Sequence, residues 1–261
     1  MREILSDLVA EQQQLDQFLQ TLRDRQWATP TPAQGWTIQD TVSHLAYTEA
    51  FAAEVLLQGE DRLKAENITE TDAWTQIGVE QGRGRRHQEI IEWWRFGRAD
   101  VVDALSRMLG SERVPWLYGD MSARSFAGIR LMETWAHGLD VKSAILGRIS
   151  PLDEPPDDDE DYEDPLADTT RLRHIASLGQ RSLPFAFREV GEQFPEQGIR
   201  VEVMGPLYAA WRFGPEDTDQ VIKGMAGDWC RLVVQRQSAD ETGLKPVGEF
   251  AEKALLIARA Y

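Results

Sequence analysis

Residues 122–147, SARSFAGIRLMETWAHGLDVKSAILG, carry the reading of this chain. Ser122 is an N-cap residue type, Gly147 is the residue type that ends a helix in left-handed geometry, and the 24 positions between them hold no proline. The stretch therefore predicts one long helix. Within it Glu133 and His137 stand four residues apart, about 40° around the axis and about 6 Å along it. They share a side with Phe126, Val141 and Ala144, where an amphipathic helix places its core. A carboxylate buried there without compensation costs several kcal/mol. A divalent cation would compensate it; a hydrogen-bonded Glu–His pair or a solvated face would remove the need.

The preceding sequence supplies the helices that such an element would pack against. Ile4, Leu8, Leu15, Phe18, Leu19 and Leu22 recur at helical spacing before the TPTP turn at 29–32. Thr37 is the expected N-cap of a second helix, with Asp40 three residues on in the place of the usual capping-box Glu, and the helix runs to a stop near Gly59. Residues 72–109 predict a third helix, broken or kinked by Gly78, Gly82, Gly84 and Gly97. Four long amphipathic helices predict a four-helix bundle, in which polar sites are built from inward-facing side chains. His44, on the second helix beside Ile38, Val42 and Leu45, is positioned to face Glu133 and His137. Two imidazoles and a carboxylate suit zinc and admit nickel, iron or manganese, and three protein ligands leave a position open for water or substrate.

Residues 150–168, SPLDEPPDDDEDYEDPLAD, interrupt this pattern: nine of the chain's acids lie between Asp153 and Asp164, with no Lys or Arg among them. Such a run favours an extended, solvated linker. The expected organisation is a bundle over residues 1–150, a linker over 151–168, and a smaller α+β domain over 169–261. In the last, Arg200–Met204 reads as a strand, GPLYAAWRFGP as a hairpin-like segment, and Asp219–Gln235 and Val247–Ala260 as helices.

Composition narrows the function. The 261-residue chain carries 44 Asp plus Glu against 28 Lys plus Arg, a net charge of −16, which disfavours nucleic-acid and anionic membrane partners. The one cysteine, Cys230, makes no internal disulfide, the start MREILSDLVA has no signal-peptide pattern, and no stretch is apolar enough to span a bilayer, so a cytoplasmic protein acting on small molecules is expected. Exposed bundle faces leave room for a homodimer.

Two stretches together resemble a known family. GWTIQDTVSHLAYTEAF (35–51), through Trp36, Asp40, His44 and Leu45, and MSARSFAGIRLMETWAHGLDVKSAILG (121–147) resemble the signature regions of the DinB superfamily, in the branch that includes the mycothiol-dependent maleylpyruvate isomerases. YAAWRFGPEDTDQVIKGMAGDWCRLVVQR (208–236) resembles the sterol-carrier-like α+β domain that follows the bundle in those enzymes. The acidic run and the terminal KPVGEFAEKALLIARAY depart from the isomerase pattern.

The resemblance implies a metal, most often zinc, held by His44, Glu133 and His137. It also implies a low-molecular-weight thiol such as mycothiol, ionised at the metal and acting as nucleophile in isomerisation or in transfer to a small electrophile. Arg231 and Arg236 are candidates to hold a substrate carboxylate. Arg130, one turn before Glu133, is a candidate for the same cavity and for cofactor binding, or for support of Glu133 or a neighbouring acid. A competing reading is a non-catalytic protein with a structural metal and an apolar ligand in the second domain; a third makes Asp153–Asp164 an acidic docking segment. Cys230 reads as a small buried hydrophobe. His87, after Arg83, Arg85 and Arg86, reads as a solvated helix start, and His174, beside Arg171 and Arg173, as a charge partner of the linker.

Overall fold

The computed structural model describes residues 1–117, 119–153 and 163–260, and divides into two compact units, Met1–Ile149 and Ser150–Tyr261. Most of the acidic run, residues 154–162, lies outside the described residues, and with it the core of the expected linker and docking segment.

In the first unit the helices are α1 (Arg2–Thr21), α2 (Ile38–Gln58), α3 (Glu60–Glu66), α4 (Thr71–Arg83), α5 (His87–Ser106) and α6 (Ala123–Leu146). A two-stranded antiparallel ribbon, β1 (Arg113–Val114) and β2 (Met121–Ser122), joins the last two. The four long helices close a ring in which α1 packs on α5 and α6, and α2 packs on the same two. That is the predicted four-helix bundle, around a core that includes Leu15, Leu45, Ile90, Trp94 and Val141.

The local signals place α2 and α6 as expected. The Thr37 hydroxyl accepts the Asp40 N–H at 3.2 Å while the Asp40 carboxylate accepts the Thr37 N–H at 2.9 Å, so aspartate completes the capping box. Ser122 caps α6, and Gly147 ends it at φ 71°.

The third predicted helix comes in two pieces, and only one glycine is at the break. Gly84 follows the last residue of α4, and α5 starts after Arg86, whose backbone N–H is capped by Glu89. Gly78, Gly82 and Gly97 instead sit inside their helices where α4 and α5 press against α2. A Cβ on Gly97 would lie 2.8 Å from the Ala50 backbone nitrogen, so only glycine allows this approach. Charge ties α1 to α5: Asp16 accepts from Arg95 Nε at 2.8 Å and Nη2 at 2.6 Å, and also from Arg98.

The second unit is α+β. It holds α7 (Leu172–Glu189), β3 (Arg200–Met204), β4 (Ala210–Phe213), β5 (Val221–Met225), α8 (Ala226–Val233), β6 (Lys245–Val247) and α9 (Glu249–Ile257). The sheet order is β4-β3-β5-β6, with β3 and β5 parallel and the other pairs antiparallel. Helices α7 and α8 pack on each other and on the sheet.

Two expectations are corrected here. Asp219–Gln235 is a strand followed by a short helix rather than one helix. Val221 and Ile222 pair with β3 and β6, and this non-local pairing overrides the helical spacing of the apolar residues. In GPLYAAWRFGP only Ala210–Phe213 is strand, because Pro206–Tyr208 forms a 3-10 turn with Leu207 and Tyr208 at positive φ. Helix α7 was not predicted. Among the described residues no helix is long and apolar enough to cross a membrane.

Candidate metal centre

Helices α2 and α6 bring His44, Glu133 and His137 together. His44 Nε2 lies 3.6 Å from Glu133 Oε2, and His137 Nε2 lies 3.7 Å from the same oxygen. One ligand atom from each residue falls within 4.8 Å of the other two, the one such cluster of three among the described residues. These separations are longer than a hydrogen bond. They are close to the spacing of neighbouring ligand atoms held about 2.0–2.2 Å from one tetrahedral ion, roughly 3.4 Å.

The protonation states fit a cation. His44 is 5% exposed, and burial in the bundle pulls its pKa down to about 4, which leaves a neutral imidazole at neutral pH. Burial pushes Glu133 up, but His44, His137 and Arg130 together outweigh it and hold the carboxyl at about 2. The donor set is thus a neutral nitrogen on His44, an anionic oxygen on Glu133 and the Nε2 of His137. A divalent cation fits that chemistry better than a hydrogen-bonded pair does.

The surroundings fix the donors. Asp140, fully buried three residues after His137, holds His137 Nδ1 at 3.0 Å, which turns Nε2 toward the cluster. Trp36 lies over both imidazoles, its ring 5.0 Å from His44 and 6.1 Å from His137. Among the described residues nothing accepts a hydrogen bond from His44 Nδ1, a buried atom.

One turn along α6, Arg130 is 2% exposed and committed to α2. Its Nε donates to Glu49 Oε1 at 3.0 Å and its Nη2 to Thr48 Oγ1 at 3.2 Å; Trp116 faces the guanidinium at 5.9 Å. Thr48 in turn donates to the His44 carbonyl at 3.0 Å, so the Arg130 guanidinium reaches the turn that carries His44 through one hydroxyl. Burial raises the pKa of Glu49 against the pull of Arg130, and among the described residues Glu49 Oε2 has no hydrogen-bond partner.

Sequence reasoning missed Glu49, Thr48 and Asp140. The signal was local in one case, because Asp140 stands at i+3 from His137 on the same helix face. Glu49 offered only its spacing from His44.

The second unit contains the other two arginines. Arg231 is fully buried; it donates to Asp168 at 2.8 Å and to Gln237 at 2.9 Å and lies 3.4 Å from Asp228, so most of its donors are engaged within the unit. Arg236 donates to the Val234 carbonyl at 2.7 Å and lines a cavity of about 640 Å³ with Leu232, Leu255 and Leu256. Cys230 is fully buried, its thiol pushed well up by burial and directed at the Leu172 carbonyl. His87 stacks on Trp27 with ring centres 4.7 Å apart, and is thus more than a solvated helix start. His174 lies on α7.

Comparison with known proteins agrees with this architecture. Residues 8–142 match the family model described as the mycothiol maleylpyruvate isomerase N-terminal domain. An uncharacterized protein of Mycobacterium tuberculosis strain H37Rv, and its counterpart in strain CDC 1551 / Oshkosh, are each 34% identical over 259 residues, covering 98% of this chain and 94% of theirs. Crystal structures of a mycothiol-dependent maleylpyruvate isomerase and of a histidine-to-alanine variant share the fold. Their TM-scores are 0.58 and 0.59 at 15% identity, over 94% of this chain and 92% of theirs. With more than half of its length matched, the chain belongs to the mycothiol maleylpyruvate isomerase N-terminal domain family.

Proposed function

We propose that this chain is a metal-dependent enzyme that uses a low-molecular-weight thiol, with mycothiol the first candidate, to isomerise or capture a small electrophilic substrate that carries a carboxylate. The observation that carries the reading is the convergence of His44, Glu133 and His137 from two facing helices, with the buried His44 imidazole held neutral.

In this reading the three residues hold one divalent ion, zinc before nickel, iron or manganese, and leave a coordination position open. A cation there lowers the pKa of a thiol enough for the thiolate, the competent nucleophile for an activated double bond, to be present at neutral pH.

The protein's own residues do the rest. Glu133 supplies the anionic donor, and the two imidazoles donate without adding charge, so the net positive charge that favours thiolate is kept. Asp140 holds the His137 ring in one tautomer and orientation. Trp36, packed over both rings, limits the approach of bulk water from its side. Cys230, buried in the second unit, is not the nucleophile. The second unit is read as the sterol-carrier-like domain, in which Arg236 lines a cavity, and Arg231 and Arg236 stay the candidates for a substrate carboxylate.

The test is a screen of the zinc-loaded protein with mycothiol, bacillithiol and glutathione against cis-unsaturated diacids and alkylating electrophiles. Thiol-dependent turnover that is lost in His137→Ala supports the reading. Turnover of none of these substrates by protein with one tightly held ion would remove it.

A further inference from the structure

A line of alternating charge crosses the bundle interior and ends at the metal centre. On α1, Asp16 holds Arg98 of α5; Arg98 interacts with Glu49 of α2; Glu49 holds Arg130 of α6; and Arg130 lies one turn from Glu133 on the same helix. Arg98 also donates to the Gln12 carbonyl at 2.7 Å and lies over Trp94 at 4.3 Å, so its position is fixed. Asp16 and Arg98 are tied to each other, and among the described residues Glu49 keeps one oxygen without a partner.

Arg130 is the member that bears on the site. At 2% exposure, with Nε and Nη2 spent on Glu49 and Thr48, it is poorly placed to bind a substrate directly. It is held by a carboxylate from one side and by a hydroxyl from another, and that hydroxyl is bonded to the His44 carbonyl. The titratable groups that sense its charge are Glu49 and His44 on α2 and Glu133 on its own helix. A guanidinium stays charged throughout the working pH range.

Resting on the reading of the site as a thiol-using metal centre, we propose that Arg130 is a positioning residue, held by Glu49 and Thr48, whose fixed positive charge beside Glu133 favours the ionised form of a thiol bound at the metal centre. Its two tethers explain why the chain buries an arginine and a glutamate beside a site that needs only three ligands. A buried pair costs desolvation that apolar side chains avoid, so its gain lies elsewhere.

The experiment uses full-length protein loaded with cobalt and titrated at a series of pH values with 2-mercaptoethanol, reading the pH midpoint of the thiolate-to-cobalt absorption band. Arg130→Gln keeps hydrogen-bonding capacity toward Glu49 and Thr48 but removes the charge, and its midpoint should rise by about one pH unit, the order expected for one unit charge at close range in a protein interior. Arg130→Lys, which restores the charge, should recover most of that rise. If Arg130→Gln does not fold, the double variant Glu49→Gln with Arg130→Gln, which leaves no unpaired buried charge, should shift in the same direction by less. A folded, cobalt-loaded variant without charge at position 130 whose midpoint equals the wild type's overturns the proposal. Wild-type protein that takes up no cobalt overturns the metal-centre reading instead.

Discussion

Asp140 Oδ2 stands 3.0 Å from His137 Nδ1, and the carboxylate is fully buried. A carboxylate behind a ligating imidazole fixes the tautomer and raises the basicity of the nitrogen that faces the metal. Asp140→Ala should therefore weaken metal binding by about 10–100-fold, the usual cost of losing such a partner. Competition with a chromophoric chelator measures this, and unchanged affinity in a folded Asp140→Ala protein would remove Asp140 from the site.

The α1–α5 junction makes a stability prediction with a pH signature. Burial raises the pKa of Asp16, but the hydrogen bonds from Arg95 and Gln20 and the charges of Arg98 and Arg95 outweigh it, so the carboxyl ends below its ordinary value. Asp16→Asn should cost about 2–3 kcal/mol in urea denaturation at neutral pH, less than a fully enclosed pair because Arg95 is partly exposed. A lowered folded-state pKa stabilises above the unfolded value and is lost as pH falls through the folded one. The gap between wild type and Asp16→Asn should thus be full at neutral pH and close below about pH 4. A gap that stayed constant down to pH 2 would mean that the ion pairs contribute nothing.

Gly97 and Gly128 make a contrasting pair. A methyl at position 97 meets the Ala50 nitrogen at 2.8 Å, backbone that cannot move aside, whereas a methyl at position 128 meets nothing within 4 Å. Gly97→Ala should destabilise by about 1–3 kcal/mol through overpacking. Gly128→Ala should be neutral or stabilise by up to about 1 kcal/mol through helix propensity. Thermal unfolding of the two variants distinguishes them, and equal melting temperatures would contradict the close approach of α5 to α2.

Cys230 is enclosed and its thiol is held protonated by burial. The native protein should react with Ellman's reagent at least about a hundredfold more slowly than the urea-unfolded chain, and Cys230→Ala should keep wild-type metal content. Rapid modification of the native thiol would place it outside the core.

What could be read in advance follows from the range of the interactions. Thr37, Asp40, Ser122 and Gly147 set helix ends within a few residues of themselves, so α2 and α6 were legible to within a residue or two. The convergence of His44 on Glu133 and His137 could be anticipated because helix periodicity fixes which side each residue takes. Glu49 could not be recognised in that way: its role depends on Arg130, 81 positions away, and alone it resembles any surface glutamate. Val221–Met225 was misread as helix for the same reason, since the strands that pair with it begin about 20 residues before and after it. The glycines of α4 and α5 were read as breaks because the close approach they permit involves a partner helix distant in sequence.

The central claim is that His44, Glu133 and His137 hold one divalent ion. It is tested most directly by metal content from mass spectrometry on protein purified without a histidine tag, compared with His44→Ala, Glu133→Gln and His137→Ala variants shown to be folded. The account predicts close to one equivalent of divalent metal in the wild type and a marked loss in each variant. A wild type that binds no metal when offered zinc, or variants that retain as much metal as the wild type, would contradict it.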